Sequence, residues 1–357
     1  MWQTPINTVL PRLPLLITGI TGVAGYNALH FFQRRYPGQV IGIRPRQSWR
    51  LKGTGIVPLD IEDGSGLREL FAVHRFRSVL NCIGNCALKS CELDPTMARQ
   101  LNIDSAATIL KNTRAHGSRL VHLSSDLVFS GKGAGNYVET DPVDPVTIYG
   151  KTMAESEALI RQTDPTAAIL RISLPMGPSF NRHAGAIDWI QSRFRHGRPA
   201  TLYFDEVRSC TYTDDLNRVF ERFLAGDENG VYHLGGPRPL TLYQIGQIVN
   251  RVGGYDPELL KGCPRLAAGP VPPRAGNVSM CSAKLLALLG HNPFRPWPVG
   301  EELCPTDREW HSQREGKVVG SFQRIVERLY RYPNGQDIAG SEKVLDVRLG
   351  ELFAESA

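Results

Sequence analysis

Residues 13–18 are apolar without alternation, the pattern of a strand buried on both faces of a parallel sheet. The glycine-rich turn Thr18-Gly19-Ile20-Thr21-Gly22-Val23-Ala24-Gly25 follows, and residues 26–32 then repeat their apolar positions with the helical period. Short apolar runs at 39–43, 56–59, 78–83 and 120–123 predict further strands. Helical stretches separate them, clearest over 95–115, and a helix at 149–162 and a strand at 168–172 continue the series. Strand and helix alternating through short turns predict an α/β fold built on a Rossmann-type, doubly wound parallel sheet.

The pattern loosens after about residue 174. Short strands at 200–204 and 231–234 alternate with helices at 213–224 and 242–252, and a proline-rich stretch runs from Pro264 to Pro298. The expected organisation is a leader over 1–12, a dinucleotide-binding domain over 13–173, a smaller and mainly substrate-binding α/β lobe over 174–300, and a C-terminal extension over 301–357. A helix is expected at 321–330.

Composition narrows the classes. The 357 residues suffice for one large core and a smaller lobe, and 41% apolar with 21% charged content is ordinary for a globular chain. No apolar run is long enough to span a bilayer. Residues 9–25 lack a basic leader, contain Arg12, Pro11 and Pro14, and lead straight into the glycine turn, so a buried strand explains them better than a signal peptide. A cytoplasmic location is expected. Cys82, Cys86 and Cys91 lie close together, but none of the seven cysteines forms a Cys-x-x-Cys pair. Small thiols in a reducing compartment explain them better than a metal site. The net charge of +6 comes from dispersed basic residues. It suits anionic small molecules and gives no nucleic-acid patch.

The glycine turn has the strand-turn-helix context that dinucleotide binding requires. Gly19 permits the tight turn, Gly22 lets the backbone approach a pyrophosphate, and Gly25 allows helix and strand to pack closely. Thr21 and Val23 flank that approach. At the end of the second strand stand Arg44 and Arg46, where an acidic residue would bind the ribose of NAD. Arginine there suits a 2′-phosphate and favours NADP(H) over NAD(H). Asp60 and Ile61 are placed to meet the adenine edge, and Asn81, Cys82 and Ile83 to line the nicotinamide ribose.

The glycine turn, the segment Ser124-Ser125-Asp126-Leu127-Val128-Phe129 and the segment Tyr149-Gly150-Lys151-Thr152 together resemble the extended short-chain dehydrogenases. More narrowly, residues 13–290 resemble the dTDP-4-dehydrorhamnose reductase family. The resemblance implies reduction of a nucleotide-linked 4-keto-6-deoxy sugar. Tyr149 would be the acid, Ser125 would hold the carbonyl oxygen, and Asp126 follows Ser125 as in the family. The family's lysine, four residues after the tyrosine, binds ribose and lowers the tyrosine pKa; here that place holds Met153. Lys151 cannot replace it, because two residues turn about 200° around a helix and four return to the same face. Losing a positioned acid–base partner lowers a rate by about 10²–10⁴.

On the substrate side, Arg208, Arg274 and Arg182 match places where the family's second lobe approaches the nucleotide sugar, and arginine forks suit its pyrophosphate. Two rival readings stand beside the reductase. One is a binding protein that keeps the pocket and regulates a partner, as the resemblance to a regulatory subunit of methionine adenosyltransferase implies. The other is an epimerase or dehydratase of the same superfamily. A homodimer or a protein partner is left open.

Overall fold

The computed structural model describes residues 10–314 and 320–330. Its central sheet contains β1 (Leu15–Thr18), β2 (Val40–Arg44), β3 (Ile56–Pro58), β4 (Ser78–Asn81), β5 (Arg119–Ser125) and β6 (Ala168–Ile172), in the order β6-β5-β4-β1-β2-β3. A seventh strand, Gly230–Leu234, pairs in parallel with β6. The order reverses direction between β1 and β4, which opens a crevice at the carboxyl ends of those strands.

The helices are α1 (Val23–Arg35), α2 (Gly64–His74), α3 (Leu88–Leu93), α4 (Pro95–Arg99), α5 (Ser105–His116), α6 (Ile148–Thr163), α7 (Ala186–Arg195), α8 (Thr213–Ala225), α9 (Leu242–Gly253), α10 (Ala283–Leu289) and α11 (Phe322–Ile325). Strand side chains alternate between faces, so β1 feeds two cores. Leu15 and Ile17 pack with Leu29, Phe32, Phe220 and Phe223 on one side, while Leu16 packs with Phe71, Val79 and Ile109 on the other.

The structure corrects two of the expected boundaries. The seventh strand and α8 lie within 174–300, yet they complete the first domain: α8 packs on α1, and Gly230–Leu234 extends the sheet. Residue 173 is therefore not a clean division. The described part of the expected extension, 301–314 and 320–330, is not a separate appendix either. Its Trp310, Ile325, Leu329 and Tyr330 join the second lobe's core with Ile187, Ile248 and Trp297, and the Trp297 indole donates to the Leu329 carbonyl at 2.9 Å.

The expected helix at 95–115 is broken by a π-helical turn, Gln100–Asp104, between α4 and α5. β5 runs to Ser125, two residues past the expected end, because Ser124 and Ser125 still pair with Arg171 and Ile172 of β6; their hydroxyls find buried acceptors in Glu157 and Asp126. No described helix is long and apolar enough to cross a membrane.

Candidate cofactor and active site

The glycine turn sits at the crevice. Gly19 has φ +63°, and a Cβ there would lie 2.3 Å from the Cys82 carbonyl oxygen, so the turn is pressed against the end of β4. A Cβ on Gly25 would lie 2.4 Å from the Gly19 carbonyl oxygen. Gly22 differs. A Cβ there would meet only the Gly19 oxygen, at 3.5 Å, so its outer side is open. Gly22 caps the 13-residue α1 with no side-chain hydrogen bond. The unpaired N–H groups and positive dipole end of α1 therefore face open space between Thr21 and Val23, which fits a diphosphate.

At the end of β2 the two arginines part company. Arg44 is buried, and its guanidinium donates to the carbonyls of Leu51 at 2.6 Å, Pro45 at 3.0 Å and Arg46 at 3.3 Å. This corrects its expected role at a 2′-phosphate, because its donors hold the 45–51 loop. Arg46 is half exposed and pairs with Asp60 at 3.2 Å and Asp63 at 3.0 Å. Asp60 also accepts the Arg46 backbone N–H at 2.9 Å, and Ile61 is buried beside it.

The Asn81 side chain accepts from Thr18 Oγ1 at 2.6 Å and contacts His122 Nδ1 at 2.9 Å, tying the end of β4 to β1 and β5. Cys82 and Ile83 lie directly under Gly19. Asn102, in the π turn, accepts from the Asn85 N–H at 2.7 Å and donates to Thr152 Oγ1 at 2.8 Å, joining the loop after β4 to α6. No sequence signal singled out Asn102, although π turns gather at functional sites.

Tyr149 stands in the first turn of α6, where the Thr147 side chain caps the helix. Its hydroxyl lies on the Ser125 side of the crevice, near enough for the Ser125 side chain to influence it. Burial pushes the hydroxyl above the ordinary tyrosine range; Cys86 and Asp126 add to the rise, while Ser125 and Arg208 oppose it. The influence of Cys86 was not foreseen from the sequence. Met153 is buried with Cys91, Ala98, Leu127 and Tyr149, and Lys151 is exposed, as the helical period requires.

Asp126 is fully buried. Its Oδ1 accepts from Arg208 Nη2 at 2.5 Å, and its Oδ2 accepts from Arg208 Nε at 2.8 Å and Ser173 Oγ at 2.5 Å. Arg208 Nη1 also lies 3.8 Å from Glu206. The expected free fork for a pyrophosphate is thus corrected: Arg208 is spent on Asp126 behind Ser125. Arg274 is partly exposed, 3.7 Å from the buried Glu206 and stacked over Tyr203. Arg182 has φ +52° and lies over the Phe322 ring.

The sheet order and the open glycine turn are those of the extended short-chain dehydrogenases, a class of nicotinamide-dependent oxidoreductases. Within it, residues 13–302 match the family described as the RmlD substrate binding domain, and the chain belongs to that family. A probable dTDP-4,6-dihydroxy-2-methyloxan-3-one 4-ketoreductase of Streptomyces antibioticus is 29% identical over 258 residues, covering 71% of this chain and 81% of that protein. Methionine adenosyltransferase 2 subunit beta of Bos taurus is 24% identical over 317 residues, covering 84% and 91%. The solved structure of a dTDP-4-dehydrorhamnose reductase from Bacillus anthracis, in complex with NADP, superposes with a TM-score of 0.67 at 18% identity, covering 79% and 94%.

Proposed function

We propose that the protein is an NAD(P)H-dependent reductase of a nucleotide-linked 4-keto-6-deoxy sugar, similar to dTDP-4-dehydrorhamnose, and that it works in the reducing direction. The observation that carries this reading is Tyr149 beside Ser125 at the crevice, next to the open side of the glycine turn. The glycine turn at Gly19, Gly22 and Gly25 would hold a reduced nicotinamide dinucleotide, which would supply the hydride for the carbonyl carbon. Ser125 holds the carbonyl oxygen, and Tyr149 gives that oxygen its proton. The tyrosine enters this step protonated, the form that burial favours. Alcohol oxidation, with which a sugar-nucleotide epimerase begins, needs the tyrosinate that a lysine would stabilise. Met153 therefore supports the reductase reading over the epimerase reading.

Arg46 is the cation that favours NADPH. A 2′-phosphate there would share it with Asp60 and Asp63. Arg274 is the partly exposed guanidinium suited to the substrate diphosphate. Seven unpaired cysteines suit a cytoplasmic setting.

The test is oxidation of NADPH and of NADH, followed at 340 nm, with dTDP-4-dehydrorhamnose. Turnover that depends on Tyr149 is expected. Absence of turnover with dinucleotide binding intact would favour a regulatory binding subunit instead, a reading supported by Met153 and by the methionine adenosyltransferase relative.

A further inference from the structure

The described segment 320–330 lies beyond residues 13–302, which match the family, yet Ile325, Leu329 and Tyr330 are buried. The Tyr330 hydroxyl donates to Oδ1 of Asp188, in the first turn of α7. The other oxygen of Asp188 accepts the Ser179 N–H at 3.0 Å and the Ser179 hydroxyl. Ser179 Oγ in turn accepts from the N–H of His183 at 3.1 Å and of Ala184 at 3.3 Å. One buried carboxylate thus holds Ser179, and Ser179 shares the N–H groups of His183 and Ala184 with Asn181 Oδ1, which accepts both at 3.0 Å.

That loop rests on the start of α1. The Pro178 carbonyl accepts from Asn27 Nδ2 at 2.8 Å, and a Cβ on Gly185 would come 3.1 Å from Val23 Cγ2. Val23 follows Gly22, whose open side fits the diphosphate. A second tie runs from the same segment, with the Arg182 guanidinium 5.2 Å from the Phe322 ring centre.

We propose that residues 320–330 form a strap that holds the 178–185 loop closed beside the dinucleotide site, with Tyr330 and Asp188 as its positioning residues. The inference rests on the reading that the glycine turn binds a dinucleotide; turnover is not required for it. A hydrogen bond to a charged group is stronger than one between neutral groups. Without the Tyr330 donor, the loop is released from the strap, and a ligand must order it on binding.

The experiment uses the full chain carrying Tyr330→Phe, with Asp188→Asn as a second variant. Dissociation constants for NADPH are measured by calorimetry, and tryptic cleavage after Arg182 is timed with and without NADPH. The expected result is affinity weakened by about tenfold, the equivalent of 1.4 kcal/mol, in both variants, with faster cleavage after Arg182 that NADPH slows. Where turnover is measurable, the KM for NADPH rises and kcat is kept. Unchanged affinity in Tyr330→Phe overturns the strap, as does a general loss of stability without selective cleavage after Arg182. If the wild type binds no dinucleotide, the glycine-turn reading fails by itself. The cleavage rates then decide the strap alone: faster cleavage in Tyr330→Phe supports it, and an equal rate overturns it.

Discussion

Arg208 grips Asp126 through two hydrogen bonds, Nε to Oδ2 at 2.8 Å and Nη2 to Oδ1 at 2.5 Å, in the buried space behind Ser125. Removing one partner of such a pair strands a charge, at a cost of about 3–5 kcal/mol. Arg208→Ala is expected to lose that much in chemical denaturation. Asp126→Asn lifts part of the penalty, so the double variant loses less than the sum of the singles, with a coupling of about 1–3 kcal/mol. Strict additivity would mean that the two side chains do not stabilise each other.

Gly19 and Gly22 separate folding from binding. Gly19→Ala meets the Cys82 oxygen at 2.3 Å and a left-handed backbone, which alone costs about 1–2 kcal/mol, so a clear fall in melting temperature is expected. Gly22→Ala makes only a 3.5 Å contact within the protein and keeps the fold. Its methyl stands in the opening that fits the diphosphate, and dinucleotide affinity is expected to fall by about tenfold or more. Calorimetric titration beside a thermal melt reads both effects. Equal melting losses in the two variants would contradict this division.

Tyr149→Phe is expected to lower the reduction rate by about 10²–10⁴ while the protein still binds NADPH. Met153→Lys tests the same site from the other side. Its ammonium, one turn along α6, favours tyrosinate, so Tyr149 ionises at lower pH. Reduction needs protonated Tyr149 and therefore gains an alkaline decline that the wild type lacks. Alcohol oxidation, run in reverse, gains more than reduction does. Rate profiles against pH in both directions check this; a Met153→Lys reduction profile with no alkaline decline, like the wild type's, would contradict it.

Local signals in the sequence carry the parts of the site that local geometry decides. The unbroken apolar run of β1 and the glycines after it place the crevice, and a turn of 100° per residue separates buried Met153 from exposed Lys151. Long-range partners carry no such signal. Arg208 meets Asp126 across 82 residues, and Arg44 turns its donors onto its own loop rather than outward. Each reads in the sequence as a free arginine. Nor does a five-residue apolar run disclose that Gly230–Leu234 pairs with β6 instead of joining the second lobe. The place of Tyr330 depends on an acceptor 142 residues away.

Asp215 gives the fold a pH dependence of definite sign. It lies in the first turn of α8, where the helix dipole favours a carboxylate by about 0.3–1 kcal/mol. Burial outweighs this and pushes its pKa from 3.8 up to about 7, although the Arg295 N–H donates to it at 3.0 Å. The folded state thus prefers the protonated acid. This stabilisation is complete below about pH 4 and is lost as pH rises through about 7, with a total of at most about 4 kcal/mol at 1.36 kcal/mol per unit. Buried His122 works in the opposite direction. Its pKa is pushed from 6.5 down to about 4, so its contribution is present above pH 6.5 and lost as pH falls through about 4. The two terms offset each other in the wild type over the same window. Asp215→Asn removes one of them. Its stability relative to the wild type is expected to increase steadily from pH 4 to pH 7, measured by denaturant titration at each pH. A constant difference across that window would show that Asp215 is ionised throughout and that the dipole and the Arg295 N–H, not burial, govern it.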